Sequence, residues 1–421
     1  MPGTTSGDRL TSGTPTALAF RGYNQSNRGR TRELMAVAAY RPIVRHWRGW
    51  ADRLCAEHAG LRTDLIQRVV LGEDPPPKRY AESVALVFAT EMAQLEIAQE
   101  IHGVDLRAAR FSFGYSLGEL IALAAGGFVS PDAVLVVPLA LADDCAALAG
   151  DVRLAVVFSR AEALPLGELI EACRSVSDAS EAVGVSAGVS PNTALVIGKA
   201  EKIEALPRLF PRLRSLRIRF NDGVWPPLHT PLVRARGVCD RAARLVASTV
   251  FSFAGPAPAV FSLVTGRIAY ESGDPRRVLL DWTDQPQRLW DAVRATLASD
   301  VRRVVHIGPK PNVIPSTFAR LAADVTQHTQ RSTAAGIGRR AVQSLVERPW
   351  LAAMLPRDAC LLRAPGIEHV VREDWLLDHA PASSPVVSGW SADSVSSAVA
   401  EPSARFVDVR VTGSPSPSGS R

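Results

Sequence analysis

Gly114-Tyr115-Ser116-Leu117-Gly118 is the segment that most restricts what this chain can fold into. The run ARFSFGY before it, residues 109–115, is apolar and reads as a strand. The run SLGELIALAA after it, residues 116–125, switches to helical spacing and stops at Gly126-Gly127. A strand that becomes a helix within one residue needs a very sharp turn. Glycines on both sides of Ser116 remove the side chains that would collide there, and the turn lifts the serine hydroxyl out at the end of a sheet. The helix that follows points its first N–H groups and its positive dipole end at the same place. An oxyanion formed at Ser116 would be stabilised there, with the backbone N–H of Leu117 as first donor. The competing reading is a serine that merely caps the helix, with incidental glycines.

Around this turn the chain alternates strand and helix signals, the pattern of an α/β domain. Residues 16–20 (TALAF) read as a buried strand ending in a glycine-containing loop, and residues 82–101 as a long helix. Residues 153–220 have another rhythm, strand, helix, two strands joined by Ser190-Pro191-Asn192, helix, strand. That is β-α-β-β-α-β, the ferredoxin-like order. Further strand candidates lie at 260–264 and 301–307. The expected organisation is a flexible leader (1–15) and an α/β core (16–150 and 222–334) with a mostly parallel sheet flanked by helices. A ferredoxin-like insert (151–221), a C-terminal extension of unassigned role (335–380) and a disordered Ser/Pro-rich tail (381–421) complete it.

Composition removes several classes. The 421 residues are 47% hydrophobic and 21% charged, which excludes a wholly disordered chain or a coiled-coil rod. The net charge is +6, carried almost wholly by arginine, too mild over this length to indicate nucleic-acid binding. Five widely spaced cysteines without a C-x-x-C pair indicate neither a disulfide framework nor a zinc site, and no metal is expected. No apolar run is long enough to span a membrane, and the N-terminus lacks the core of a signal peptide. The expected setting is the cytoplasm.

A nucleophilic serine needs a base. His229 sits in WPPLHTP, where prolines on both sides make an ordered, non-helical loop able to hold an imidazole. The alternative, His306, lies in an apolar run and reads as a buried structural residue. For the group that orients the imidazole, Asp222, Asp281, Asp284 or a backbone carbonyl all remain open.

With these residues in view, GYSLGELIALAAGGF resembles the nucleophile segment of malonyl-CoA:acyl-carrier-protein transacylases and of the acyltransferase domains of fatty-acid and polyketide synthases, typically G-H-S-x-G-E. FRGYNQSNRG is similar to that family's opening F-x-G-Q-G-S-Q loop, and PPLHTPLV to its catalytic histidine segment. GVSAGVSPNTALVIGKAEKIEAL, LVTGRI with the following DQP, and VVHIGPKPNVI resemble its later motifs, in order, over residues 16–325. The resemblance implies an α/β-hydrolase-like acyltransferase core with a ferredoxin-like insert. It implies acyl transfer from malonyl-CoA or a related acyl-CoA to a phosphopantetheinyl acyl carrier protein, through an acyl-Ser116 ester, without a further cofactor. Ser116 would be nucleophile and His229 base, then acid. Leu117 would give one oxyanion donor, and Tyr23 or Gln25 of the opening loop the second. Tyr115 stands where the family has histidine and would form part of the pocket wall.

One departure bears on specificity. Malonyl-selective members carry an arginine on the helix after the nucleophile helix, and the corresponding DAVLVVPLALAD, residues 132–143, has none. An uncharged acyl group, or an arginine supplied from the insert, fits better. The arginine-rich stretch 207–219 is either a solvated face or a docking patch for the acidic carrier, with Arg212, Arg214 and Arg217 as candidates. Two other functions compete, a thioester hydrolase using the same pair and a catalytically silent carrier-binding relative.

Overall fold

Strand β1 (Thr16–Phe20) is buried along its whole length and forms the middle of a six-stranded sheet. The computed structural model describes residues 13–178, 182–209, 216–252, 254–271, 274–333 and 349–381, all within one compact unit that runs to Val386. Most of the expected leader and tail, with Arg212 and Arg214, lies outside the described residues.

β1 pairs in parallel with β2 (Phe111–Gly114) on one side and with β9 (Arg303–Ile307) on the other. β7 (Val260–Ser262) and the antiparallel β8 (Arg267–Ala269) continue the sheet beyond β2, and β10 (Glu368–Val371) continues it beyond β9. Alternation along β1 explains its burial. Leu18 and Phe20 face one core, against helices Arg41–His58, Tyr80–Glu100 and Leu117–Ala125, and Ala17 and Ala19 face the other, against helices Leu289–Ala298 and Val313–Thr333. A parallel sheet covered on both faces in this way must be apolar throughout.

The second sheet has the order β4-β5-β3-β6, all antiparallel, from β3 (Arg153–Ser159), β4 (Gly184–Ser190), β5 (Thr193–Gly198) and β6 (Leu216–Phe220). With helices Leu166–Val176 and Ala200–Leu209 between strands, this is the expected ferredoxin-like arrangement. One face packs on the two helices through Ala155, Val157, Ala194 and Val196, and the other face turns toward the core, where Ala187 and Val189 of β4 meet helix Leu289–Ala298. β4 also docks on the core. Gln287 N donates to Ser186 O at 2.8 Å, and Gly188 N to Gln287 O at 2.9 Å.

The extension after residue 334 turns out to be part of the main sheet, because β10 supplies its edge strand. Its four residues are too few for a periodic signal. Among the described residues no helix is long and apolar enough to cross a membrane.

Candidate active site

The site lies at the carboxyl ends of β1 and β2. Beside it β1 leads on to β2 on one side and the neighbouring β9 leads on to β10 on the other, the place where open α/β sheets have a crevice. Ser116 follows β2 directly, with φ 56° and ψ −117°, a strained backbone for a non-glycine residue. A side chain on Gly114 would run into the backbone of Gly118, and one on Gly118 into Phe20 O, so both flanking glycines are required by close approach. Ser116 Oγ does not cap the helix. It donates to His229 Nε2 at 2.7 Å, and the capping alternative therefore fails.

His229 is buried and also has positive φ, 64°. Its orientation comes from the end of helix Pro275–Asp284, whose last carbonyls have no intrahelical partner. His229 N donates to Thr283 O at 2.8 Å, and Nδ1 lies 2.6 Å from Trp282 O. A carbonyl can only accept, so Nδ1 carries the proton and Nε2 faces the serine as acceptor. The negative end of the helix dipole would favour an imidazolium formed were Nε2 to take the serine proton. Burial pushes the His229 pKa down to about 4, against a smaller opposing effect of the Trp282 hydrogen bond. The resting imidazole is neutral. Of the four orienting groups left open by the sequence, the backbone carbonyl is the one present.

Two further residues brace the pair. Trp282 Nε1 donates to Ser116 O at 3.0 Å, and Gln287 Oε1 accepts from Ser116 N at 3.1 Å. The Gln287 amide nitrogen lies 3.4 Å from His229 Nδ1, whose proton is already used, so this is packing contact. Gln287 thus touches the serine, the histidine and strand β4 of the insert. Buried Glu119, one turn into the nucleophile helix, accepts from Tyr270 Oη at 2.6 Å and from Leu263 N at 2.9 Å. Burial raises its pKa to about 7, despite these hydrogen bonds. Ser116, His229 and Tyr270 are the three non-glycine residues with positive φ among the described residues, and all belong to this network. Nothing in the sequence marked Trp282 or Gln287. A carbonyl acts regardless of its side chain, and a lone glutamine has no pattern.

Leu117 N–H is the first of its helix and has no intrahelical acceptor, as an oxyanion donor requires. The two candidates for the second donor part company. Tyr23 lines the cavity in front of Ser116, whereas Gln25 is exposed, its side chain against Gly223 and its N–H on Asn24 Oδ1 at 2.7 Å. Asn27 Oδ1 accepts from Asn24 N at 3.0 Å and folds the loop so that Gln25 turns outward. Tyr115 lines the cavity beside Ser116, and residues 132–143 do not reach it. Arg217 is exposed on β6, and His306 is buried against His369 at 2.9 Å, away from the serine. The aspartates are elsewhere too. Asp284 pairs with Arg234, Asp281 with Arg277, and Asp222 is exposed.

No family model matches the chain, and no curated protein is similar to it. Solved structures are. The malonyl-CoA:acyl carrier protein transacylase of Xanthomonas oryzae superposes with a TM-score of 0.57 at 20% identity, over 72% of this chain and 90% of that one. The acyl carrier protein S-malonyltransferase of Vibrio cholerae gives 0.56 at 18% identity, over 85% and 96%. A malonyl-transacylase solved in complex with a type II polyketide acyl carrier protein gives 0.55 at 20%, over 72% and 92%. The chain therefore has the transacylase fold, at a sequence distance where fold is what is shared.

Proposed function

We propose that this protein is an acyltransferase that moves an acyl group from acyl-CoA to an acyl carrier protein through an ester on Ser116. The observation that carries the reading is the 2.7 Å contact between Ser116 Oγ and His229 Nε2, with Nδ1 held by Trp282 O. A serine hydroxyl is too weakly acidic to attack a thioester unaided, and a neutral imidazole at this distance can take its proton as the C–O bond forms. Leu117 N–H faces the developing oxyanion. The imidazolium then gives the proton to the departing thiolate. The reverse sequence, with the thiol of the carrier's phosphopantetheine as nucleophile, releases the acyl group and restores the serine. The solved transacylases of the same fold support this direction of transfer, in fatty-acid or polyketide assembly.

The test is intact-mass analysis of the protein after exposure to a mixture of acyl-CoAs, then of an added phosphopantetheinyl carrier protein. The wild type should gain one acyl mass and lose it to the carrier, and Ser116→Ala should gain none. Free acid released without carrier acylation would select hydrolysis. A carrier protein bound without turnover, equally well by Ser116→Ala, would select a silent binding role.

A further inference from the structure

The cavity in front of Ser116 measures about 280 Å3, and its chemistry is lopsided. Its roof is the face of the insert's sheet that turns away from the insert's own two helices. Leu154 pairs with Ile197 and Val156 with Leu195, and residues directly opposite share a face, so four aliphatic side chains cover the serine. The far wall is aromatic. Tyr23 packs edge-to-face on Tyr80 at 4.9 Å and on Trp225 at 5.8 Å. Both phenols are neutral, since burial raises the pKa of Tyr23 to about 12 and holds that of Tyr80 well above the ordinary phenol value. The nearby Asp74 carboxylate adds to the rise at Tyr23, and the Arg21 guanidinium opposes it.

Among the described residues one cation lines the cavity, Arg21, and it is fully committed. Nε donates to Gly22 O at 2.8 Å. Nη1 donates to Pro309 O and Ser26 O at 2.5 and 3.4 Å, and Nη2 to Asn27 Oδ1 and Ser26 O at 2.7 and 3.3 Å. A guanidinium has five N–H groups, and all five have protein acceptors. Arg219 pairs with Val156 in register and shares the roof's face, but it is exposed on the edge strand and does not line the cavity.

From this we infer that Ser116 takes an uncharged, apolar acyl group, medium-chain or aryl, in preference to a dicarboxylic one such as malonyl. The inference rests on the acyltransferase reading above. A free carboxylate entering the cavity would leave water for a site without an available cation, whereas methylene or ring carbons would meet aliphatic and aromatic walls. The chemistry is otherwise unchanged. Ser116 Oγ bonds to the thioester carbonyl carbon, the C–S bond breaks, and the serine proton ends on the thiol by way of His229.

The experiment compares octanoyl-, benzoyl- and malonyl-CoA by single-turnover acylation of the full chain, read by intact mass. Octanoyl- or benzoyl-CoA should acylate at least about 100-fold faster than malonyl-CoA. Leu195→Arg, which brings a cation to the roof, should narrow or reverse the ratio. Malonyl-CoA reacting as fast as octanoyl-CoA in the wild type would overturn the inference, and loss of that reaction in Arg219→Leu would identify the rim arginine as its partner. If no thioester leaves an adduct, the acyltransferase reading fails, and calorimetry on Ser116→Ala decides the cavity's preference separately. Octanoyl-CoA binding at least about tenfold tighter than malonyl-CoA would sustain it, and equal binding would overturn it.

Discussion

As the proposed base, His229 has no ionic support among the described residues. Its Nδ1–H rests on a peptide carbonyl, and burial lowers its pKa to about 4. The folded value lies below the ordinary 6.5, so the neutral, proton-accepting form persists well into acid and is lost only as pH falls through about 4. Single-turnover acylation should therefore stay flat from about pH 8 to about pH 5.5, where an unperturbed histidine would already have cost roughly tenfold. A rate that drops with an inflection near 6.5 would show that the imidazole is not held dry. Ser116 and His229 were legible because their neighbours constrain the backbone. Glycines frame Ser116, and prolines frame His229. Their supports were not, since Trp282 acts through its carbonyl and through an indole N–H whose target is a backbone oxygen. Gln25 misled for the opposite reason. Its residue type suited the family's loop, but the Asn27 side chain folds that loop so that Gln25 faces solvent.

Among elements, helix Tyr80–Glu100 and the inner strands announced themselves, and the short edge strands did not. Helix Tyr80–Glu100 and the strands of the insert follow the expected bounds within a few residues, because each has enough turns or alternations to set a period. β8, three residues, and β10, four residues, carry no such signal, and the core was expected to close at residue 334. β10 matters for what it covers. It pairs with β9 over Arg303–His306, and behind it His306 lies buried with its ring stacked on His369. Helix Arg372–Asp378 then packs Glu373 onto the backbone N–H groups of Arg30 and Lys310, at 2.9 and 3.0 Å, and so clasps the loops that follow β1 and β9. A chain ended at residue 334 would expose an apolar parallel edge and strip the loop leading to the cavity of that anchor. Such a truncation should accumulate in the insoluble fraction, checked by sedimentation of the lysate, while removal of residues 382–421 should leave solubility and acylation unchanged. A soluble, reactive protein ending at 334 would mean that β10 is an ornament of the sheet.

At the scale of the whole molecule the cavity has two owners. The core supplies Ser116, His229 and their supports, and the insert supplies the roof. Gln287 joins them by hydrogen bonds to both Ser116 and β4. The roof's face of the insert's sheet also runs on past the cavity. Directly opposite Val156 and Phe158, on edge strand β6, Arg219 and Arg217 stand exposed, so the surface changes from aliphatic over the serine to cationic at the rim. With a chain charge of +6, this rim is where an acidic carrier would be drawn while its prosthetic arm enters. Attraction between exposed charges acts mainly on encounter, and it weakens as the Debye length contracts below about 10 Å above 0.1 M salt. The transfer step to an acidic carrier should accordingly slow as ionic strength rises from about 0.05 to about 0.5 M. The double variant Arg217→Ala, Arg219→Ala should start slow at low salt and respond less. Acylation by an uncharged thioester such as octanoyl-N-acetylcysteamine should ignore both salt and variant, because it needs the cavity and not the rim. Stopped-flow transfer rates across the salt series decide the matter. If variant and wild type share one slope, the carrier docks on another face, and β6 is a solvated edge.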